Sequence, residues 1–373
     1  MENKRVLFLV NHDLVIYNFR KEIVQELLDQ GYEVYVSSPY GEKIEILISW
    51  GCKYIPTDVN RHGKNPIDEL KLLKKYKQII KDINPLCVLT YTIKPNIFGA
   101  IACRKYNVPC LANITGLGTA VEKKSILQFI TISLYKYAFK EINTIFFQNE
   151  ENLEFFLEKK ISSKNKYVLL PGSGVNLEEF VYVDYPNQDD KIKFIFISRI
   201  MKEKGIDLYL EMATIMMKKY DNLEFHICGF CEEDYEDTLK EYEEKNIIIY
   251  HGMIKDIKPL LGQMSCTVHP TYYPEGLSNV LLESSAIGRP IITTNRSGCR
   301  EVVDREENGY LIEENNQGDL VEAVDKFINT SRLTKEIMGK KGREYVVSNF
   351  DRKYVVESYL KKIAIIAGEE NGL

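Results

Sequence analysis

The chain has 373 residues, of which 45% are hydrophobic and 28% charged, and its net charge is −5. This composition excludes a disordered or fibrous protein, and the negative charge, together with the absence of a recognised motif, argues against nucleic-acid binding. The length predicts two domains. No window approaches the roughly 20 apolar residues of a membrane-spanning helix. The apolar run at 5–10 is predicted to be a first strand and not a signal peptide.

Short apolar runs alternate with helical patterns through the first half of the chain. The predicted strands are residues 5–10, 33–38, 87–91, 144–148 and 167–170. A helix is predicted over 18–30, where Phe19, Ile23 and Leu27 share one stripe and Gly31 follows. This alternation is typical of parallel strands joined by crossover helices.

The same alternation restarts after a polar stretch at 182–190, which is predicted to be the linker. We therefore expect a domain over 1–182 and a second over 191–350. The strands predicted in the second domain are 193–198, 223–228, 247–250, 265–269 and 290–293. Neither domain has a Gly-x-Gly-x-x-Gly turn, which argues against a nicotinamide or flavin dinucleotide. Ligands are expected at the carboxyl ends of the strands.

The eight cysteines are scattered, and only Cys228 and Cys231 form a Cys-x-x-Cys pair. A zinc site would require a second pair or histidine ligands in register. We expect reduced thiols and no metal site.

The most informative segment runs from His269 to Pro290. A buried strand is predicted to end at His269, and a helix to begin near Ser278 or Asn279 and to stop at Gly288. The free backbone N–H groups of a helix start attract a phosphate. Glu275, in the turn before this helix, can face the group attached to that phosphate. Glu283, one turn past Asn279, can accept hydrogen bonds from two vicinal hydroxyls.

A second cluster follows the first strand of the second domain. Arg199 is predicted at the end of that strand, and Lys204 in the loop before the next helix. Two cations on one loop suit a diphosphate, with Arg as a forked donor and Lys as a mobile point charge.

These residues resemble the signature of glycosyltransferase family 4, whose second domain carries Arg-x4-Lys and Glu-x7-Glu. Arg199 with Lys204 and Glu275 with Glu283 match these spacings. The segment 172–176 resembles the family's approach to the interdomain crossover, and the last helix, about 352–373, the one that packs back on the first domain. The resemblance implies an α/β protein of the GT-B fold, in which two Rossmann-like, doubly wound domains face a central cleft, and a retaining transferase.

The resemblance also implies roles for these residues. Arg199 and Lys204 would neutralise the leaving diphosphate, Glu275 would bind the donor sugar and Glu283 the ribose, so that Glu275, Arg199 and Lys204 form the catalytic set. The remaining donor-binding residues would be the backbone amides of Gly276, Leu277, Ser278 and Asn279 and a nucleobase border of His251, Gly252 and Ile254. No metal or other cofactor is expected, because preorganised cations stabilise the developing charge.

The first domain departs from the commonest family pattern, because no glycine-rich loop follows its first strand. Its Tyr-x-Phe-Arg20 ending and Thr115-Gly-Leu-Gly118 resemble the branch that builds capsule or O-antigen glycans on polyprenyl diphosphate. By this resemblance His12 and Arg20 would face the acceptor, and Gly116 and Gly118 would admit the donor phosphates. A purely structural His12 is the alternative. A UDP-hexose or UDP-N-acetylhexosamine is the expected donor.

Two further segments, 71–81 and 123–140, mix lysines with apolar and aromatic residues. This pattern is typical of helices at a membrane interface, but also of helices that cover a core. Residues 1–180 carry 24 Lys and Arg against 20 Asp and Glu, whereas 181–373 carry 25 against 34. We expect a cytoplasmic protein in peripheral contact with the anionic inner face of the membrane, or else lysines that are merely solvated.

Two other functions remain compatible with the residues. A nucleotide-sugar epimerase or hydrolase would use the same diphosphate site, and a non-catalytic protein could bind the nucleotide sugar without turnover.

Overall fold

The computed structural model describes residues 3–59, 65–117, 125–187, 191–304 and 307–369. The chain forms two compact units, Met1–Ser173 with Lys353–Leu373, and Gly174–Arg352. Each unit contains one parallel sheet with helices, so the predicted α/β class with two Rossmann-like domains is confirmed. Across the described ranges, no helix is long and apolar enough to span a bilayer.

The first unit is built on seven parallel strands in the order β3-β2-β1-β4-β5-β6-β7. They are β1 (Arg5–Leu9), β2 (Glu33–Ser38), β3 (Lys53–Pro56), β4 (Cys87–Tyr91), β5 (Cys110–Ile114), β6 (Thr144–Phe147) and β7 (Tyr167–Leu169). The strand order reverses between β1 and β4, which places a ligand crevice beyond their carboxyl ends.

The helices of this part of the chain are α1 (Leu14–Phe19), α2 (Lys21–Asp29), α3 (Ile44–Ser49), α4 (Pro66–Ile83), α5 (Ala100–Lys105), α6 (Ile126–Ala138) and α7 (Glu150–Glu158). A π turn (Pro95–Gly99) and two 3₁₀ turns (Phe139–Glu141, Lys164–Lys166) complete it. The single helix predicted over 18–30 is instead α1 and α2. They are separated at Arg20, which leaves helical geometry at φ −137° and ψ 11°.

The second unit has six parallel strands in the order β10-β9-β8-β11-β12-β13. They are β8 (Ile192–Ile197), β9 (Leu223–Cys228), β10 (Ile249–Tyr250), β11 (Cys266–His269), β12 (Ile291–Thr294) and β13 (Gly309–Ile312). The strand order reverses between β8 and β11, whose register aligns Cys266 with Phe194.

Its helices are α8 (Ile206–Lys219), α9 (Glu236–Glu244), α10 (Lys258–Leu261), α11 (Asn279–Ile287), α12 (Gln317–Asn329) and α13 (Arg332–Asn349), followed by α14 (Arg352–Ala367) at the unit boundary. Two 3₁₀ turns occur at Lys202–Lys204 and Arg300–Val302. One apolar stripe of α8 is buried, with Ile206, Leu210 and Ala213 all at most 2% exposed.

The boundary between the units differs from the predicted one at 182. Residues from Gly174 onward belong to the second unit, because Val175 forms a β-bridge with Asp351. The predicted linker is bound there as well: the Tyr185 hydroxyl donates to the Ser265 carbonyl, 3.1 Å away, and Arg289 donates to the Val183 and Asp184 carbonyls. The stretch reads as a linker because most of its residues are polar. Its two tyrosines, Tyr182 and Tyr185, nevertheless contact Gly288 and Ser265 of the second unit.

Helix α14 contributes to the core of the first unit. Val355 and Ile363 are each 1% exposed and pack in the cluster that contains Val6 and Phe8 of β1. Tyr359 stacks on Phe146 at 4.4 Å between ring centroids, and its hydroxyl donates to Asn113 Oδ1 on β5. The last helix therefore closes one face of a sheet whose strands all lie more than 180 residues earlier in the chain.

Candidate functional site

The strongest candidate site lies in the second unit, where the strand order reverses. β8 leads directly to Ser198 and Arg199, and β11 ends at His269, six residues before Glu275. Because β8 and β11 are hydrogen-bonded neighbours, the loops after them meet at one edge of the sheet. The sequence patterns that predicted Arg199 and Glu275 thus converge on one place.

Lys204 and Glu275 form a buried ion pair at this edge. The Lys204 ammonium donates to Glu275 Oε1, and the two side chains are only 10% and 13% exposed. His269 Nε2 lies 3.4 Å from the same oxygen, and Thr271 Oγ1 lies 3.5 Å from it. Glu275 is therefore held in place by three polar groups from two loops.

The ion pair decides the protonation of Glu275. Burial acts to raise the pKa of Glu275, but the charge of Lys204 and hydrogen bonds from His269 and Lys204 outweigh it, so the pKa lies well below its usual range. The carboxyl is ionised at neutral pH and can only accept hydrogen bonds. It suits the binding of sugar hydroxyls and cannot serve as a general acid.

Arg199 and Lys204 share the ring of Tyr273. The Arg199 guanidinium lies 5.3 Å from the ring centroid and the Lys204 ammonium 4.9 Å. Arg199 is also 3.5 Å from Glu232 Oε1, and its side chain is 35% exposed. The two predicted cations thus lie on one aromatic platform, with Arg199 open to a ligand and the ammonium of Lys204 partly covered.

Gly205 makes the approach of the two loops possible. Its φ is +81°, and a β-carbon at this position would lie 2.2 Å from the Pro270 carbonyl oxygen. The Tyr272 N–H donates to the Glu203 carbonyl at 2.9 Å, which ties the loops together. Only glycine permits this backbone conformation and this contact.

Helix α11 begins where the sequence predicts and presents its amino end without a side-chain cap. Ser278 precedes the helix in an extended conformation, and its hydroxyl makes no capping hydrogen bond. Asn279 Oδ1 is buried without a partner. Leu277, predicted among the donor-binding residues, packs its side chain in the core beside Leu281, so only its backbone can meet a ligand. The uncapped N–H groups suit an anionic oxygen, whereas the unpaired amide oxygen suits a hydroxyl or N–H donor of a ligand.

Glu283 lies in the second turn of α11 and differs from Glu275 in its charge environment. Burial raises its pKa to about 7, although the charges of Arg352 and Lys258 oppose this shift. Asn279 and Glu283 are four residues apart and share one face of the helix. The helix therefore aligns its uncapped amino end with a carboxyl group one turn further along.

The predicted nucleobase border follows β10. His251 stacks on His226 with ring centroids 5.2 Å apart, and His251 Nε2 lies 2.9 Å from His226 Nδ1. Burial lowers the pKa of both rings, and the mutual interaction lowers that of His226 further. Gly252 has φ +62° with open space where a β-carbon would be, while Ile254 packs beside Leu261 of α10. His251 and Gly252 are thus partly exposed, whereas the neighbouring Met253 is 71% exposed.

In the first unit, His12 lies just beyond β1 and is about one-third exposed. Its Nδ1 lies 2.6 Å from Asp13 Oδ1. Asp13 is buried and also accepts from the Leu14 and Lys43 N–H groups, so it caps α1 and fixes the following loop. This pairing orients His12 at the reversal between β1 and β4, where its acceptor role stays a prediction.

The prediction for Arg20 is wrong. Arg20 is 1% exposed, and its guanidinium lies 5.0 Å from the Tyr91 ring centroid and 5.7 Å from that of Tyr359. Its Nη1 donates to the Phe19 carbonyl at 2.6 Å. The side chain joins β4 to α14 inside the unit and is not available to an acceptor.

Of the two glycines predicted to admit phosphates, Gly116 has φ +137°, a conformation that favours glycine. Gly118 lies outside the described residues. Their role stays a prediction.

Three residues of the donor-side cluster escaped the sequence patterns: Tyr273, His269 as a partner of Glu275, and Thr271. His269 and Tyr273 belong to the segment that the patterns singled out, but spacing does not show which side chains turn towards Glu275. Within the described ranges, no three His, Cys, Asp or Glu side chains are grouped as a metal site would require.

Two family models match the chain. Glycosyl transferase 4-like matches residues 5–149, and Glycosyl transferases group 1 matches residues 181–345, which contain Arg199, Lys204 and Glu275.

Three relatives align with most of the chain. An N,N'-diacetylbacillosaminyl-diphospho-undecaprenol alpha-1,3-N-acetylgalactosaminyltransferase of Campylobacter jejuni is 27% identical over 96% of this chain and 97% of its own. The capsular polysaccharide biosynthesis glycosyltransferase CapM of Staphylococcus aureus is 24% identical, with 96% of each chain covered. A UDP-Gal:alpha-D-GlcNAc-diphosphoundecaprenol alpha-1,3-galactosyltransferase of Escherichia coli is 27% identical over 77% of this chain and 76% of its own.

Among solved structures, a glycosyltransferase from Rickettsia africae superposes with a TM-score of 0.81. The alignment covers 99% of this chain and 100% of that one at 19% identity, which is evidence for the fold alone. The family matches over both halves, the named transferases and this fold agree with the signature residues Arg199, Lys204, Glu275 and Glu283. The chain is therefore a glycosyltransferase of the GT-B fold, with a glycosyl transferase 4-like domain followed by a glycosyl transferases group 1 domain.

Proposed function

We propose that the protein transfers a hexose or N-acetylhexosamine from a UDP-sugar to a glycan carried on polyprenyl diphosphate, in the synthesis of a surface polysaccharide. The names of two relatives support this acceptor class, since both act on sugars linked to diphospho-undecaprenol. The Escherichia coli relative is named for a UDP-sugar donor, and the Staphylococcus aureus relative for capsular polysaccharide.

The observation that carries the proposal is the placement of Arg199 and Lys204 over Tyr273, beside the ionised Glu275. Departure of a nucleoside diphosphate develops negative charge on a phosphate oxygen. Cations already fixed at that point stabilise the charge without reorganisation. In this site the exposed Arg199 would engage the diphosphate first, and the Lys204 ammonium would be shared between the carboxylate and the leaving phosphate.

The remaining donor contacts follow from the same geometry. The N–H groups at the start of α11, with the amide of Gly276, would bind phosphate or sugar oxygens. The Ser278 N–H, predicted for the same role, already donates to the Gly298 carbonyl at 2.7 Å. Glu275 would accept a hydrogen bond from a sugar hydroxyl near the reacting carbon, and Glu283 from the ribose diol. His251 and Gly252 would border the uracil base. Each group thus meets a part of the donor that its chemistry suits.

The proposed reaction uses no metal and retains the anomeric configuration. Arg199 and Lys204 take over the charge neutralisation that a divalent ion provides in other sites. Because Glu275 is engaged by Lys204, we assign no protein nucleophile and propose attack by the acceptor hydroxyl on the face that the diphosphate leaves. The new bond to the anomeric carbon forms as the bond to the diphosphate breaks, and the leaving phosphate oxygen takes the hydroxyl proton. Activity that survives EDTA and a product with the donor's anomeric configuration are the expected results.

The acceptor would bind to the first unit, with His12 and Gly116 beyond the carboxyl ends of its strands. A polyprenyl carrier places this reaction at the cytoplasmic face of the membrane. His12, oriented by Asp13, has a ring about one-third exposed that can contact an acceptor hydroxyl.

The deciding experiment combines the full-length protein with UDP-sugars and a synthetic polyprenyl-diphosphate sugar. Mass spectrometry of the lipid product, followed by NMR of the new linkage, identifies the sugar and the anomer. Glu275→Gln is expected to abolish transfer, whereas Glu241→Gln, an exposed carboxylate on α9, is expected to keep it. Free sugar or an epimerised UDP-sugar without any lipid product would instead identify a hydrolase or an epimerase.

A further inference from the structure

Helix α6 is apolar on two opposite faces. Its inner face packs Thr131, Tyr135 and Ala138 into the first unit, where Tyr135 contacts Phe139 and Phe156 at 5.2 and 5.4 Å between ring centroids. Its outer face carries large hydrophobic residues that remain in solvent: Ile126, Leu127, Phe129, Ile130, Leu134 and Tyr137. We call these six residues the α6 apolar face.

The exposure of this face is far from that of an ordinary surface helix. Ile126 is 82% exposed and Phe129 72%, while Ile130 and Tyr137 are about half exposed. Single exposed hydrophobic residues are common, but a continuous stripe over three turns marks an interaction surface. We therefore expect the α6 apolar face to contact another molecule.

Charge identifies the occupant. Residues 126–138 contain no Asp or Glu. Cations border the face at its carboxyl end: the Arg104 guanidinium lies 4.5 Å from the Tyr137 ring centroid and the Lys140 ammonium 5.6 Å, while Lys136 is on the helix itself. Arg104 also donates to the Tyr137 carbonyl at 2.6 Å. Tyr137 thus lies between two fixed cations.

Helix α4, the other lysine-rich segment, shows the contrast. Its apolar stripe of Leu72, Tyr76, Ile79, Ile80 and Ile83 is buried in the core of the first unit. Its lysines are a solvated face over that core, whereas the α6 apolar face remains exposed in the described chain.

We propose that the α6 apolar face docks on an anionic lipid surface, with Ile126, Phe129 and Ile130 in the headgroup–acyl boundary and Lys136, Lys140 and Arg104 on the lipid phosphates. Thirteen residues span only about 20 Å along the helix, too short to cross a bilayer but suited to lie in its interface. A second copy of the chain would bring the same cations against these and be repelled. The proposal rests on the proposed function in one respect, that a polyprenyl-linked acceptor resides in the same membrane.

The test is co-sedimentation of the full-length protein with vesicles of phosphatidylcholine alone and of phosphatidylcholine with 30% phosphatidylglycerol. Wild type is expected to bind the anionic vesicles with an affinity at least about tenfold higher than its affinity for the neutral vesicles. Each lysine or arginine near an anionic surface raises the affinity about fivefold. Phe129→Ser with Ile130→Ser is expected to lower binding at least about tenfold, through lost apolar burial.

A matched control is Leu333→Ser with Ile337→Ser on α13, a pair of similarly exposed apolar residues four positions apart. This control is expected to bind like wild type. Lys136→Glu with Lys140→Glu is expected to abolish the preference for anionic vesicles. Thermal melting of every variant within about 2 °C of wild type shows that folding is intact.

Three outcomes overturn the proposal: equal binding to both vesicle types, unchanged binding by the Phe129/Ile130 variant, or a wild-type dimer in solution that this variant converts to a monomer. Transfer to a short-chain, water-soluble diphosphate acceptor separates the two proposals. If the α6 variant loses vesicle binding and transfers normally to this acceptor, both stand. If wild type binds vesicles and transfers to no acceptor, the proposed function alone fails.

Discussion

Arg199 and Arg20 occupy similar places in the two units and differ in almost every consequence. Arg199 comes two residues after β8, Arg20 lies between α1 and α2 in the segment after β1, and each packs against a tyrosine ring. Arg199 keeps 35% of its side chain exposed, beside Lys204 and Glu275. Arg20 is 1% exposed between two tyrosines. A cation near the carboxyl edge of a sheet thus belongs to a ligand site or to the core depending on what packs over it.

The largest effect is expected from substitution of Lys204, which lies near the same Tyr273 ring as Arg199. Lys204→Met leaves the carboxylate of Glu275 buried without its counter-charge and removes a cation from the leaving phosphate, so we expect kcat/KM to fall about 10³-fold. Lys202→Met, an exposed lysine in the same turn, is the matched control and is expected to stay within about twofold. Equal losses in both variants would show that the turn and not the charge is needed.

Arg199→Ala is expected to reduce kcat/KM about 10²-fold, because it removes a positive charge that would stabilise the leaving diphosphate. The melting temperature is expected to stay within about 2 °C of wild type, because a partly exposed side chain contributes little to the stability of the core. Steady-state kinetics and thermal melting measure the two effects. A variant that melts early and transfers normally would contradict the assignment of Arg199 to the donor.

Arg20→Leu should behave in the opposite way. Its guanidinium bridges Tyr91 and Tyr359, so its loss is expected to lower the free energy of unfolding by about 2–4 kcal/mol. The folded fraction should transfer sugar within a few-fold of wild type. Urea denaturation measures the free energy of unfolding, and a separate assay at 15 °C measures the transfer activity of the folded variant. A variant as stable as wild type but without activity would contradict this structural role and support the prediction that Arg20 faces the acceptor.

The two glutamates extend the comparison to carboxylates. Burial raises the pKa of Glu283 to about 7, above its ordinary value of 4.5. The folded state therefore binds a proton that the unfolded state releases, and this contribution weakens the fold as pH rises from about 4.5 to 7. We expect a loss of roughly 2–3 kcal/mol in the free energy of unfolding over this window, and Glu283→Gln should flatten it.

The same titration should affect the donor. Ionised Glu283 accepts hydrogen bonds from both ribose hydroxyls, so the KM for the UDP-sugar is expected to fall a few-fold between pH 6 and 8. Glu283→Gln should remove this dependence. A KM that rises with pH in wild type would contradict ribose binding by Glu283.

The donor segment was accessible to sequence reasoning because its chemistry lies in local order. A buried strand, a Pro-Glu-Gly turn and a helix between Asn279 and Gly288 follow from residue types within about 20 positions. Arg199 and Lys204 likewise follow a readable strand. The strands β3, β5 and β13 escaped because a run of four or five residues is too short to show a clear period.

The contacts that separate similar residues depend on distant parts of the chain. Tyr359, more than 300 positions from Arg20, helps to bury it, and the hydrogen bonds of Tyr185 and Arg289 assign the polar stretch after 182 to the second unit. The lysine-rich patterns of α4 and α6 are alike in sequence, but α4 turns its apolar stripe inward and α6 leaves one in solvent.

The sequence by itself determined the two α/β units, the position of α11 and the spacing that brings Arg199, Lys204 and Glu275 into one signature, because periodicity and turn chemistry act over a few residues. Only the tertiary structure decided which cation is buried, where the units divide, which glutamate is ionised and which basic helix is open. These depend on burial and on long-range neighbours, since the free energy of a charge is set by what surrounds it in space.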